Sequence, residues 1–189
     1  MNLNLPNILT LSRIGLAVVL VFLLEEGSLR SNVLAAIIFG FASLTDFYDG
    51  YLAKKRGLVS DFGKIMDPIA DKVLLLSMFW VLADIGMIDW WMVIIIALRE
   101  SIVTVSRLCA MRQGKVLAAE RAGKIKTVVQ IVAVSMILLF LVLRQCEHCS
   151  FWFAHVQGLW FNINYGLMAT AVILTVYSGI DYFRQKSKI

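Results

Sequence analysis

Apolar residues run through this chain in long blocks separated by short polar segments. Membrane spans are predicted at about 7–25, 32–52, 67–84, 90–111, 125–144 and 158–182. Five are runs of about 18 or more mainly apolar residues and the sixth is shorter and opens on polar groups, each reaching across roughly 30 Å of hydrocarbon at ~1.5 Å per residue. No repeat of about 20 to 50 residues is visible. The expected architecture is therefore an all-α integral membrane domain with six transmembrane helices, occupying 1–189 as a single unit. Residues 2–12 mix polar and apolar positions and are expected to begin as an interfacial helix. The N-terminus has neither a basic stretch ahead of its apolar run nor a small-residue cleavage site, so the first span is expected to be retained.

Composition agrees with the pattern. Hydrophobic residues make up 60% and charged residues 16% of the chain, against about 25% charged in an ordinary soluble domain. A soluble globular enzyme is thereby excluded. The net charge of +5 suggests nucleic acid only until its placement is considered. Glu25, Glu26 and Arg30 follow the first span, Asp84 and Asp89 the third, and Arg144, Glu147 and His148 the fifth. The other side collects Lys54, Lys55, Arg56, Lys64 and Lys72, then Arg112, Lys115, Arg121, Lys124 and Lys126, then Arg184, Lys186 and Lys188. By the positive-inside rule that basic face is cytoplasmic, both termini lie on it, and the chain resides in the cytoplasmic (inner) membrane with no nucleic-acid partner. Trp90, Trp91, Trp152 and Trp160 fall near the opposite span ends, where an aromatic belt anchors.

Carboxylates inside a membrane are costly, so Asp46 and Asp49 at the end of the second span and Asp67 and Asp71 at the start of the third need a reason. Spacings of i, i+3 and i, i+4 put each pair on one helix face. A short connection lets the two helices pack antiparallel with the pairs facing. Four converging carboxylates repel unless divalent cations neutralise them, and oxygen-only ligation without Cys or His favours Mg²⁺ or Mn²⁺ over zinc. Gly50, Ala53 and Gly63 keep the adjoining surface low enough for a bulky ligand to approach the backbone.

These residues, Asp46-x-x-Asp49-Gly50-x-x-Ala53-Lys54-x8-Gly63-x3-Asp67-x3-Asp71, resemble the signature of the CDP-alcohol phosphatidyltransferases, D-x-x-D-G-x-x-A-R-x8-G-x3-D-x3-D. Seven of eight fixed positions agree. The departure is Lys54 for Arg, which keeps the charge and loses the planar two-pronged fork. The resemblance implies a six-helix membrane enzyme, usually a homodimer, that displaces CMP from a CDP-linked lipid with an alcohol hydroxyl. It implies two bound ions, held by Asp46, Asp49, Asp67 and Asp71, with Asp71 also the base on the acceptor hydroxyl. Gly50 and Ala53 would floor the cytidine site, with Gly63 beside it, and Lys54 would pair with the diphosphate.

A second constellation bears on the acceptor. Arg99 and Arg107 lie eight residues apart in the fourth span and so share roughly one face. Arg99 sits deep, and Glu100 beside it is expected to point elsewhere. Gly123-Lys124-Ile125-Lys126-Thr127 places two ammonium groups and a hydroxyl at a helix start, which suits a phosphate. With Gln130 and the opening Pro6-Asn7-x-x-Thr10-x-x-Arg13, this is similar to the branch of the family that uses sn-glycerol 3-phosphate. The implied reaction joins CDP-diacylglycerol and glycerol 3-phosphate, with Arg99, Arg107, Lys124 and Lys126 on the acceptor phosphate. Inositol phosphate is the competing acceptor. A cation transporter is the competing class, disfavoured because the carboxylates sit at span ends rather than near the midplane. Cys146, His148 and Cys149 resemble half a metal knuckle but have no second pair at ligand spacing. They are assigned with His155 to an external loop over 145–160.

Overall fold

The computed structural model describes the backbone of residues 5–56, 61–112, 121–146 and 150–186, and side chains over 12–45, 72–107, 109–110, 123–146 and 155–184. Among these residues the only regular secondary structure is α-helix. The elements are α1 (Leu5–Glu26), α2 (Leu29–Arg56), α3 (Asp61–Asp84), α4 (Trp90–Arg112), α5 (Arg121–Gln145) and α6 (Ser150–Lys186). Each predicted span lies inside one helix. The helix of the first span runs unbroken from Leu5; Pro6 falls in its first turn, where a missing amide hydrogen is tolerated. One boundary differs from expectation. The loop expected over 145–160 is helical from Ser150 onward. The helix of 37 residues that forms α6 begins at Ser150 and carries His155, exposed, in its second turn. No Gly or Pro interrupts residues 150–157, so low hydropathy there does not prevent helix.

Two tight turns show how the chain reverses. Gly27 ends α1 at φ 66°, the left-handed conformation that glycine adopts without steric cost. Ser28 then caps α2, its hydroxyl accepting from the Ser31 amide at 3.1 Å. After α3, Gly86 takes φ 75°. The Met87 amide reaches the Leu82 carbonyl at 2.8 Å and the Gly86 amide reaches Ala83 at 3.1 Å, the paired closure that satisfies a helix's last carbonyls. Connections this short make α1 and α2, and α3 and α4, antiparallel neighbours.

The helices close into a ring: α1 packs on α2 and α3, α3 on α4, α4 on α6, α6 on α5, and α5 back on α2, with α3 touching α5 across it. Leu20, Phe39, Phe79, Leu82, Met92 and Met168 are fully buried between them. Buried Ala17, Ala35, Ala133 and Ala171 let backbones approach closely. The outer surface is as apolar as the inside: Phe22, Phe41 and Ile173 are each 67% exposed. In water such a surface would drive aggregation; facing acyl chains it is at rest. Among the described residues, Gly123–Gln145 in α5 and His155–Arg184 in α6 are long and apolar enough to cross a membrane, and Leu29–Thr45 is apolar but shorter.

Candidate functional site

The aspartate motif falls on two helices that share α1 and α5 as packing partners. Asp46, Asp49, Gly50, Ala53 and Lys54 lie on α2, and Gly63, Asp67 and Asp71 on α3. Because the backbone is helical through each set, the i, i+3 and i, i+4 pairs share a face of their helix. Their side chains lie outside the described residues, as do residues 57–60 of the connection. Among the described residues no three His, Cys, Asp or Glu side chains converge. Cys149 and His148 are outside the description, and Cys109 is an exposed thiol on α4.

Beginning at Lys72, the residue after Asp71, the described side chains form an ion cluster centred on Glu100 of α4. Its Oε1 accepts from the Lys126 ammonium of α5 and, at 3.2 Å, from Arg99 Nη1. Its Oε2 faces Lys72 Nζ of α3 at 3.6 Å. Lys72 also donates to the Glu100 main-chain carbonyl at 3.2 Å, and the Thr104 hydroxyl donates to the same carbonyl at 2.6 Å. Arg99 Nη2 donates to Ser178 Oγ of α6 at 2.6 Å. Glu100 and Lys126 are buried, and the Arg99 side chain nearly so. The cluster thus ties α3, α4, α5 and α6 together at charged groups, where the desolvation cost demands pairing.

The surroundings support Arg99. Gly179 on α6 lies against its stem, where an added Cβ would stand 3.1 Å from Arg99 Cγ. Gln130 donates to Thr175 Oγ1 at 3.1 Å, and Thr175 donates to the Ala171 carbonyl at 2.6 Å, so these two buried side chains are paired across the α5/α6 seam. Nearer the end of α4, the Arg107 guanidinium sits 5.7 Å from the centre of the Tyr182 ring. The Tyr182 hydroxyl donates to Ser106 at 3.3 Å.

The four residues expected on the acceptor phosphate are therefore placed differently from one another. Arg99 and Lys126 meet through Glu100, Arg107 lies against Tyr182, and Lys124 is exposed. Two residues of helix turn a side chain by about 200°, so Lys124 and Lys126 leave α5 on nearly opposite sides. The expectation that Glu100 points away from Arg99 is corrected. Adjacent positions are about 100° apart, but the Arg99 side chain is long enough to fold back onto its neighbour. Lys72 and Ser178 are the members that sequence reasoning missed; Glu100 stood there beside Arg99 without a role. A lone acidic residue inside an apolar span was the available signal, since such a charge requires cations on other helices.

The sequence matches the family model described as CDP-alcohol phosphatidyltransferase over residues 3–177. It is similar to a protein of Bacillus subtilis (strain 168) named CDP-diacylglycerol–glycerol-3-phosphate 3-phosphatidyltransferase, with 40% identity covering 95% of this chain and 93% of that one. It is also similar to the probable phosphatidylglycerophosphate synthase of Mycobacterium tuberculosis (strain H37Rv), at 38% identity over 95% of this chain and 79% of the relative. A Rickettsia typhi protein with the same name as the Bacillus one is 32% identical over 96% of both chains.

Proposed function

The chain belongs to the CDP-alcohol phosphatidyltransferase family, and from that premise we propose that it transfers the phosphatidyl group of CDP-diacylglycerol to sn-glycerol 3-phosphate, giving phosphatidylglycerophosphate and CMP. This is a step of phospholipid biosynthesis. The observation that carries the choice of acceptor is the cluster of Arg99, Lys126 and Lys72 around one carboxylate, next to the aspartate helices. A cluster with surplus positive charge suits a phosphorylated alcohol and not a neutral or zwitterionic one.

The residue set fits a pair of divalent ions. Four aspartates on two continuous helices offer only hard oxygen donors, suited to Mg²⁺ or Mn²⁺. Asp46, Asp49, Asp67 and Asp71 would hold them. When bound, the ions would supply neutralisation of diphosphate charge and alignment of the attacking and leaving oxygens. Gly50 and Ala53 leave room for the cytidine, Gly63 keeps the α3 side low, and Lys54 pairs with the diphosphate. Asp71 orients the acceptor's free primary hydroxyl toward the β-phosphorus and receives its proton. Arg107, Lys124, Lys126 and Arg99 supply the positive charge for the acceptor phosphate, Lys124 from the exposed side of α5. The proposed setting is a homodimer of six-span chains in the cytoplasmic membrane, both termini and the aspartates toward the cytoplasm. The donor enters sideways from the inner leaflet.

The deciding experiment supplies radiolabelled glycerol 3-phosphate, inositol phosphate and serine separately with CDP-diacylglycerol to the purified protein and counts label extracted into chloroform. Label is expected from glycerol 3-phosphate alone, abolished by EDTA and restored by Mg²⁺ or Mn²⁺. Incorporation of inositol phosphate instead would replace the acceptor, and full activity in EDTA would remove the ions.

A further inference from the structure

A cation withdrawn from water is stable only beside an anion, and the Glu100 cluster sets three cations against a single carboxylate. Three positive charges less one leave the four groups at +2. Their burial makes the surplus matter: Lys126 is 4% exposed and Glu100 7%. Each oxygen of Glu100 faces a cation or a donor. Oε1 takes Lys126 and Arg99, Oε2 faces Lys72, and the main-chain carbonyl takes Lys72 and Thr104. The donors are not all used. Arg99 Nε is buried without a hydrogen-bond partner. Lys126, with three N–H bonds to give, has Glu100 as its one partner among the described residues.

We propose that Glu100 is a positioning residue that stands in for the acceptor's phosphate, holding Lys126 and Arg99 aimed before the acceptor arrives while leaving the cluster two positive charges in surplus, the complement of a phosphomonoester dianion. The inference rests on the acceptor reading above. Lys72 extends it, because this lysine directly follows Asp71 on α3. Its contacts with Glu100 fix the turn of α3 that bears Asp71 against α4. The cluster therefore sets how far the acceptor's phosphate lies from the aspartate assigned to its hydroxyl. Replacing Glu100 by an uncharged residue leaves Lys126 buried without a counter-charge, so that its ammonium is no longer held in place. The acceptor site then loses strength even though a competing anion has been removed.

A plain structural staple between α3, α4 and α5 would behave otherwise, since loosening the bundle disturbs both substrates. The test uses the detergent-purified full chain as wild type, Glu100→Gln, Glu100→Asp and Lys72→Gln. It reads KM for each substrate and the thermal stabilisation given by inorganic phosphate and by CMP. Glu100→Gln is expected to raise KM for glycerol 3-phosphate about tenfold or more, as loss of a charge-assisted contact does, with KM for CDP-diacylglycerol unchanged within about twofold. Stabilisation by phosphate is lost and that by CMP kept, and Glu100→Asp recovers part of both losses. An equal rise in both KM values, or an acceptor KM unchanged or lowered, overturns the proposal. Should Glu100→Gln fail to fold, Lys72→Gln alters the most exposed of the four side chains. It is expected to give the same selective rise at smaller size, and an unchanged acceptor KM in it overturns the proposal as well. If the wild type incorporates no glycerol 3-phosphate, the acceptor reading fails by itself. The phosphate comparison then still judges Glu100, and equal stabilisation of wild type and Glu100→Gln overturns its role.

Discussion

At the scale of single residues, Glu100 marks the limit of what could be read from sequence. The embedded arginines and the Gly-Lys-x-Lys-Thr run pointed to a phosphate because their charge was out of place in apolar spans. Lys72 did not, because it follows the aspartate motif among other lysines and reads as ordinary cytoplasmic charge. Its contact with a carboxylate 28 residues further on depends on how α3 and α4 pack, which residue type and spacing do not encode. The aspartates are the reverse case: their assignment rests on spacing alone. Asp71→Asn keeps size and one carbonyl oxygen while removing charge and proton acceptance. CMP release is expected to fall by at least about 10²-fold, the least that loss of a general base brings, with membrane insertion and helix content unchanged by circular dichroism. Wild-type turnover in that variant would take Asp71 out of the mechanism.

At the scale of elements, all six helices were legible because backbone in lipid must satisfy its own hydrogen bonds, so span-length apolar runs leave one solution. Helix ends were less legible. The segment 150–157 loses hydropathy but not helix propensity, and α6 continues through it. The packing order was not legible at all, since uniformly apolar surfaces do not specify neighbours. Polar pins at helix ends supply part of that specification. Gln145, the last residue of α5, donates to the Gly27 carbonyl at 2.7 Å and accepts from the buried Asn32 amide at 3.2 Å. It thereby holds α5 to the α1/α2 turn. Gln145→Ala removes two hydrogen bonds worth about 0.5–1.5 kcal/mol each and strands the Asn32 amide. A loss of roughly 1–3 kcal/mol in denaturant unfolding of the purified protein is expected. Both KM values should hold, because the pin lies at the opposite end of α2 from the aspartates. Unchanged stability would mean that water replaces the contact.

At the scale of the whole molecule, charge asymmetry and the position of the chemistry make one argument. α1 ends on Glu25 and Glu26, and the turn after α3 lies between Asp84 and Asp89. The opposite ends of α2 and α3 hold the aspartate motif with Lys54, Lys55, Arg56, Lys64 and Lys72. Orientation by basic residues therefore also decides which compartment meets the reacting groups, and a soluble phosphorylated acceptor and released CMP belong to the cytoplasm. Single cysteines test this in a background with Cys109, Cys146 and Cys149 replaced by serine. Glu25→Cys, at an exposed position, is expected to react with a membrane-impermeant maleimide in intact spheroplasts. Lys188→Cys, in the basic tail, is expected to react only after permeabilisation. The inverse pattern would place Asp46, Asp49, Asp67 and Asp71 on the outer face, where neither CDP-diacylglycerol of the inner leaflet nor cytoplasmic glycerol 3-phosphate could reach them. The proposed reaction would then have no substrates, whatever the geometry of its residues.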